Sequence, residues 1–341
     1  MPSHISHSLL AEAVAHDCHL RLSSSRGDLL AGLLHLGAQG PDLFLHNHRR
    51  KPRGFRYGAI LHRKGNARVL LSLADSAREN GYGKELSHFS LGYITHVWFD
   101  RLAHPYINWS AGWRSNPDNH PDRPAMHAFL ERLIDVQLLR RLRDLSVGEY
   151  GFYFHLPRQP EAFFRLRPAL EQALRSSLVS AGSDVQLSQR LSNSLHDSLG
   201  FYRHTESPDN DYFVAARQGE KAGTVSRRWL SVVHPPETLI SVDALNIEGR
   251  TWGHPCRPEH RSSAGIPELM TKAVELSVKS YSLWCAYRDS GGPEDALAFE
   301  EELGPWNLND GITTDPPCRR QHCDPLPLLE LYETIKTAVE R

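Results

Sequence analysis

The chain has 341 residues, 40% of them apolar and 23% charged, with a formal net charge of −1. These values fit a soluble globular protein of one large or two ordinary domains. Near-neutrality argues against a broad basic face for duplex nucleic acid. No apolar run approaches the ~20 residues that a membrane-spanning helix needs.

In chain order, His7 to about Cys18 predicts a helix with Leu9, Leu10, Ala13 and Val14 on one face. Leu29–Leu36 predicts a short buried helix ended by Gly37, and Gly40-Pro41-Asp42 a turn that projects an acid. His46–Phe55 is basic and irregular. Val69–Glu79 and Glu85–Trp98 are helical, the second continuing to His104 and ending at Pro105, because the residue before a proline disfavours the helical region. Arg114–Pro124 is a surface loop, and Ala125–Leu145 is helical again. Glu161–Val179, Val185–Arg203, Ile266–Tyr287 and Leu328–Glu340 predict further helices. Between them, His204–Arg227 and Asp289–Pro327 are expected to be irregular, Leu239–Ile247 extended, and Trp252–Arg257 a structured loop. The expected fold is all-α: a metal domain over residues 1–145 and a mainly helical C-terminal region over 146–341.

Thirteen of the 20 histidines fall between His4 and His127. His96, Asp100 and His104 are spaced four apart, so on a helix they form one stripe, each rotated by about 40° from the last. A carboxylate between two imidazoles suits a cluster of cations, since one Asp bridges two metals while each His serves one. His127 and Glu131 are also four apart and aim at one point. His7, Asp42 and His62 are further candidates. A competing His-Asp doublet, typical of other helical metal phosphohydrolases, is His16-Asp17.

The ordered series Ser6-His7-Ser8, Gly40-Pro41-Asp42, His62, Gly92 to Pro105, and His127 with Glu131 resembles the zinc-dependent phospholipase C family over about residues 4–131. The resemblance implies His7, Asp42, His62, His96, Asp100, His104, His127 and Glu131 as ligands to two or three Zn2+ ions in an all-helical domain. It implies a phosphoric ester hydrolase acting on a phosphodiester, with phospholipid as the substrate class and Asp42 or Glu131 as general base. It also implies three groupings: Asp42, His62, His96 and Asp100; His104, His127 and Glu131; and His7 with Asp100 bridging. Secreted members use an N-terminal Trp as a ligand, whereas this sequence begins Met1-Pro2-Ser3-His4, with Pro2, His4 or water as substitutes. Tyr106, Ile107, Trp109 and Trp113 follow the metal helix as lipid-facing or core residues. A related zinc nuclease and a non-catalytic scaffold held together by its metals are the alternative readings.

The start of the sequence lacks the basic segment and apolar run of a signal peptide, which implies a cytoplasmic protein. Cys18, Cys256, Cys285, Cys318 and Cys323 are odd in number and scattered, an arrangement expected of a reducing compartment rather than of a disulfide framework.

Overall fold

The structure is a computed structural model that describes residues 4–22, 27–79, 82–112, 123–157, 164–205, 231–312 and 318–338. Helices dominate it. The first half holds α1 (His4–Asp17), α2 (Leu29–Gly37), α3 (Asp42–Leu45), α4 (Phe55–Leu61), α5 (Asn66–Glu79), α6 (Gly83–Ala111), α7 (Arg123–Arg143) and α8 (Val147–Tyr150). Then come the 3-10 turn Phe152–His155, α9 (Arg167–Ser177), α10 (Val179–Gly182), α11 (Leu187–Thr205), the strands β1 (Trp252–His254) and β2 (Arg257–Ser262), α12 (Ile266–Ser290), α13 (Pro293–Leu303) and α14 (Leu328–Ala338). The two strands form one antiparallel hairpin, the only sheet among the described residues.

Helix α6 is the axis of the molecule. From Leu86 to Ala111 nearly every side chain is buried, as expected of a helix with neighbours all round. α1, α2, α5, α7 and α12 all pack against it. The crossing with α2 is close because it uses small residues. A Cβ on Gly37 would meet the Phe89 carbonyl oxygen at 2.0 Å, and one on Gly92 would meet the Leu34 carbonyl oxygen at 2.2 Å. Only glycine at both positions lets the two backbones approach so nearly.

The local signals that set the helix starts are readable. Asp28 caps α2 by accepting the Ala31 N–H at 2.9 Å. Asp135 on α7 accepts the N–H groups of Ile5 and Ser6 and the Ser6 hydroxyl, so a buried carboxylate sits at the positive end of α1. This contact fixes the register of the turn that carries His7.

Side chains from both sides of residue 145 share one apolar core. The Trp98 indole donates to the Ser280 hydroxyl at 2.8 Å, the Trp284 indole to the Leu70 carbonyl at 2.8 Å, and the Tyr106 hydroxyl to the Ala244 carbonyl at 3.0 Å. The buried Arg101 guanidinium is held by the Leu303, Gly304 and Trp306 carbonyls.

Several sequence expectations are corrected. α6 does not stop at Pro105 but runs on to Ala111, with Gly112 in the left-handed conformation as its cap. Proline removes one helical hydrogen bond, and the packing of the buried flanking turns outweighs that loss. Leu239–Ile247 contains no strand; a single 3-10 turn, Glu237–Leu239, precedes turns. Trp252–Arg257 belongs to the hairpin, and Asp289–Pro327 contains α13. Cys256 and Cys318, 62 residues apart, are joined in a disulfide. The two cysteines meet only because the chain folds back from the hairpin to the segment before α14. Most of His204–Arg227, most of Arg114–Pro124, and Trp113 lie outside the described residues.

Candidate metal centre

All eight residues named as candidate ligands are buried, at 0–7% exposure. They form one connected cluster. Asp100 is its hub: Oδ1 is 3.2 Å from His7 Nε2, and Oδ2 is 3.0 Å from His96 Nε2, 3.8 Å from His62 Nε2 and 3.8 Å from His104 Nδ1. Asp42 faces the same space, with Oδ1 3.1 Å from His62 Nε2 and Oδ2 3.8 Å from His96 Nε2. Glu131 Oε1 lies 2.9 Å from His127 Nε2 and 3.5 Å from His104 Nε2. Three sets each place their ligand atoms within 4.8 Å of one another: His7, His96 and Asp100; Asp42, His62 and His96; and His104, His127 and Glu131. Each set can hold a metal ion. His96 belongs to two of them, and Asp100 groups with His7 and His96.

The far sides of three imidazoles show how the cluster is oriented. Nδ1 of His62 faces the Gly58 carbonyl at 2.8 Å, Nδ1 of His96 the Ala38 carbonyl at 3.0 Å, and Nδ1 of His104 the Leu308 carbonyl at 2.5 Å. Each Nδ1 proton is engaged there, which leaves the basic lone pair on Nε2. That outer-shell pattern is the usual support of a metal-ligating histidine. On that tautomer the facing carboxylates have no donor: Asp42 Oδ1, 3.1 Å from His62 Nε2, and Asp100 Oδ2, 3.0 Å from His96 Nε2, accept a hydrogen bond only where the ring is protonated. Buried carboxylates are costly in that state unless a cation compensates them. The donor set, imidazole nitrogen with carboxylate oxygen, suits zinc-type divalent ions.

The local chain explains how each ligand arrives. Gly40, with φ +47°, sits so close to His96 that a Cβ would lie 2.6 Å from its ring. The tight Gly40-Pro41 turn therefore carries Asp42 against α6. The Gly37–Gly92 crossing brings the Ala38 carbonyl to His96. The 304–312 loop closes the far side: the Leu308 N–H donates to the His62 carbonyl at 2.8 Å, and the Asn108 side chain donates to the Asn309 carbonyl at 2.7 Å.

Mutual charge dominates the electrostatics. Burial opposes charge on His104, yet Asp100 and Glu131 raise its pKa to about 9. Burial likewise opposes charge on His96, which Asp100 and Asp42 raise. Burial acts against ionisation of Asp100 and Asp42, but His104 and His96 hold the first well below the usual carboxylate range, and His62 and His96 lower the second. Burial pushes His127 down to about 4 and also lowers His7. Without an ion, His96 and His104 pair as imidazolium with the carboxylates; a bound cation would take the place of those protons.

Other candidates lie elsewhere. His16 and Asp17 form only a solvent-exposed pair, with side chains 89% and 50% exposed. The His4 ring packs against Arg132 and the Tyr202 ring and belongs to none of the three sets. Met1, Pro2 and Ser3 lie outside the described residues. Tyr106, Ile107 and Trp109 are core residues, at 2–6% exposure, and not an exposed lipid-facing surface. The sequence reading missed the supporting carbonyls, above all that of Leu308, because a carbonyl leaves no mark in residue identity. It also passed over His46, which is buried one turn beyond Asp42 with neither ring nitrogen bonded.

No protein-family model, curated protein or solved structure matches this chain. The fold and the cluster therefore define it as a mostly helical protein with buried His/Asp/Glu groups able to hold metal ions. No helix among the described residues is long and apolar enough to cross a membrane.

Proposed function

We propose that the chain is a zinc-dependent phosphoric ester hydrolase, similar in its ligand series to the zinc-dependent phospholipases C, with two or three Zn2+ ions held by His7, Asp42, His62, His96, Asp100, His104, His127 and Glu131. The observation that carries this reading is Asp42: a buried carboxylate that faces the Nε2 atoms of His62 at 3.1 Å and His96 at 3.8 Å, in a set able to hold a metal ion. Bound zinc supplies a water of near-neutral pKa and neutralises charge on a phosphoryl group. The protein residues do the rest. Asp100, between His7 and His96, joins the ligand sets. Asp42 or Glu131 would accept a proton from an attacking water. His62 and His104 have the most exposed side chains of the eight, each at 9%, and the buried Leu308 bonds both residues through its backbone.

Phospholipid is the finer part of this proposal, and the buried aromatics after His104 do not support it.

The test is turnover of a generic aryl phosphodiester and of an aryl phosphocholine ester by the zinc-loaded chain, with and without a chelator, beside Asp100→Ala. The proposal expects hydrolysis that chelation and Asp100→Ala both abolish. A folded, zinc-loaded chain with no turnover on any phosphoester would instead make the metals a scaffold.

A further inference from the structure

Glu12, His35 and His155 converge at a place that takes no part in the centre described above. Glu12 stands five residues after His7 on α1, about 140° around the helix and about 7.5 Å along it, so the two side chains leave different faces. His35 lies on α2, and His155 ends the 3-10 turn that packs against α2. A nitrogen from each ring and a Glu12 oxygen lie within 4.8 Å of one another.

These three groups are not satisfied by one another. His35 Nε2 is 3.8 Å from Glu12 Oε1, beyond hydrogen-bond range. His35 Nδ1 is buried without a partner, in a ring only 2% exposed. A ring that has lost its water and gained no bond calls for a ligand. His155 Nε2 is 3.2 Å from the Tyr150 carbonyl, so its proton is engaged there and Nδ1 is the basic nitrogen. The Glu12 carboxylate is fixed in place: Oε2 accepts from Arg143 at 2.8 Å and Oε1 accepts the Tyr150 hydroxyl at 3.0 Å. Oε1 retains lone-pair capacity beyond that bond. Burial holds His35 down to about 4, so at neutral pH it is a base and not a cation.

We propose that Glu12, His35 and His155 form a separate, peripheral site for one divalent transition-metal ion of the zinc type, bound by two imidazole nitrogens and one carboxylate oxygen, with water completing its coordination. Two imidazoles and a carboxylate are a sufficient zinc set when a solvent molecule supplies the fourth position. Glu12 and His155 are partly exposed, so this ion exchanges with solvent more readily than ions in the buried centre. It ties α1 and α2 to the turn that follows α8.

The experiment measures zinc per chain by elemental analysis after dialysis of the full-length protein against buffered micromolar zinc. His155→Ala is expected to hold one equivalent fewer than the wild type while its far-UV circular dichroism stays unchanged; equal zinc in the two proteins overturns the site. Should His155→Ala fail to fold, acylation of the wild type by diethyl pyrocarbonate, read by mass spectrometry, replaces it. Added zinc is expected to protect His155 and to leave the exposed His16 reactive. Equal labelling of His155 with and without zinc overturns the proposal. Neither readout depends on hydrolytic activity, so this site and the proposed hydrolase function stand or fall separately.

Discussion

Asp100 meets more of the candidate ligands than any other side chain, with imidazole nitrogens of His7, His62, His96 and His104 at 3.0–3.8 Å. Replacing it with Asn keeps the volume and removes the charge. Asp100→Asn should weaken zinc retention at least as much as loss of an outer-shell partner, roughly 10- to 100-fold, measured by competition with a zinc-chelating dye. A second prediction concerns protons. His104 in the ion-free protein is raised to about 9 and is therefore charged at neutral pH. A metal-bound imidazole is not. Binding must therefore release a proton from His104 throughout the range below about 9, and apparent affinity must rise with pH there, about tenfold per unit for one proton. Calorimetry in buffers of different ionisation enthalpy measures that release. The side chains of the centre were legible in the sequence because His96, Asp100 and His104 repeat at helical spacing, as do His127 and Glu131. Leu308 was not legible, because it acts through its backbone carbonyl 204 residues from His104.

Among the elements, the α2–α6 crossing sets His96, and the 46–54 loop joins the segments that carry Asp42 and His62. Gly92→Ala puts a methyl group within 2.2 Å of the Leu34 carbonyl oxygen and 2.6 Å of the Ala38 nitrogen. The helices must separate, which pulls the Ala38 carbonyl from His96. A cost of about 3 kcal/mol is expected, as for other overpacked sites, read by chemical denaturation. The 46–54 loop is organised by Asp197 of α11, whose buried carboxylate accepts from the Asn47 side chain, the Arg49 and Arg50 N–H groups and the Arg50 guanidinium. Asp197→Ala leaves those donors unpaired and should cost about 3 kcal/mol. Burial acts to raise the Asp197 pKa, but these bonds lower it below the ordinary carboxylate value. Its contribution is thus complete above the unfolded value and is lost as pH falls through the lower folded one. The wild-type advantage over Asp197→Ala in melting temperature should vanish in strong acid. Helical periodicity predicted most of the elements, yet it ended α6 at Pro105. A proline rule describes an isolated turn; here the buried neighbours of α6 decide its length.

For the molecule as a whole, the sequence motifs place every candidate ligand before residue 132, while the structure closes the centre with a loop from beyond residue 300. Trp98, Arg101, His104 and Tyr106 all bond to groups between residues 244 and 308. A fragment ending at residue 145 exposes that apolar face and loses the Leu308 carbonyl. It should fail to give a cooperative melt, and limited proteolysis should find no protected core. This long-range closure was not readable from the sequence, because no motif marks the 304–312 loop as a partner of α6. Zinc content tests the central claim most directly: elemental analysis of the desalted full-length protein beside Asp100→Ala, with folding of both checked by circular dichroism. Shared divalent ions among the eight groups predict at least two tightly held equivalents in the wild type and their loss in the variant. A folded wild-type chain that takes up no zinc, or an Asp100→Ala chain that retains all of it, would contradict the account.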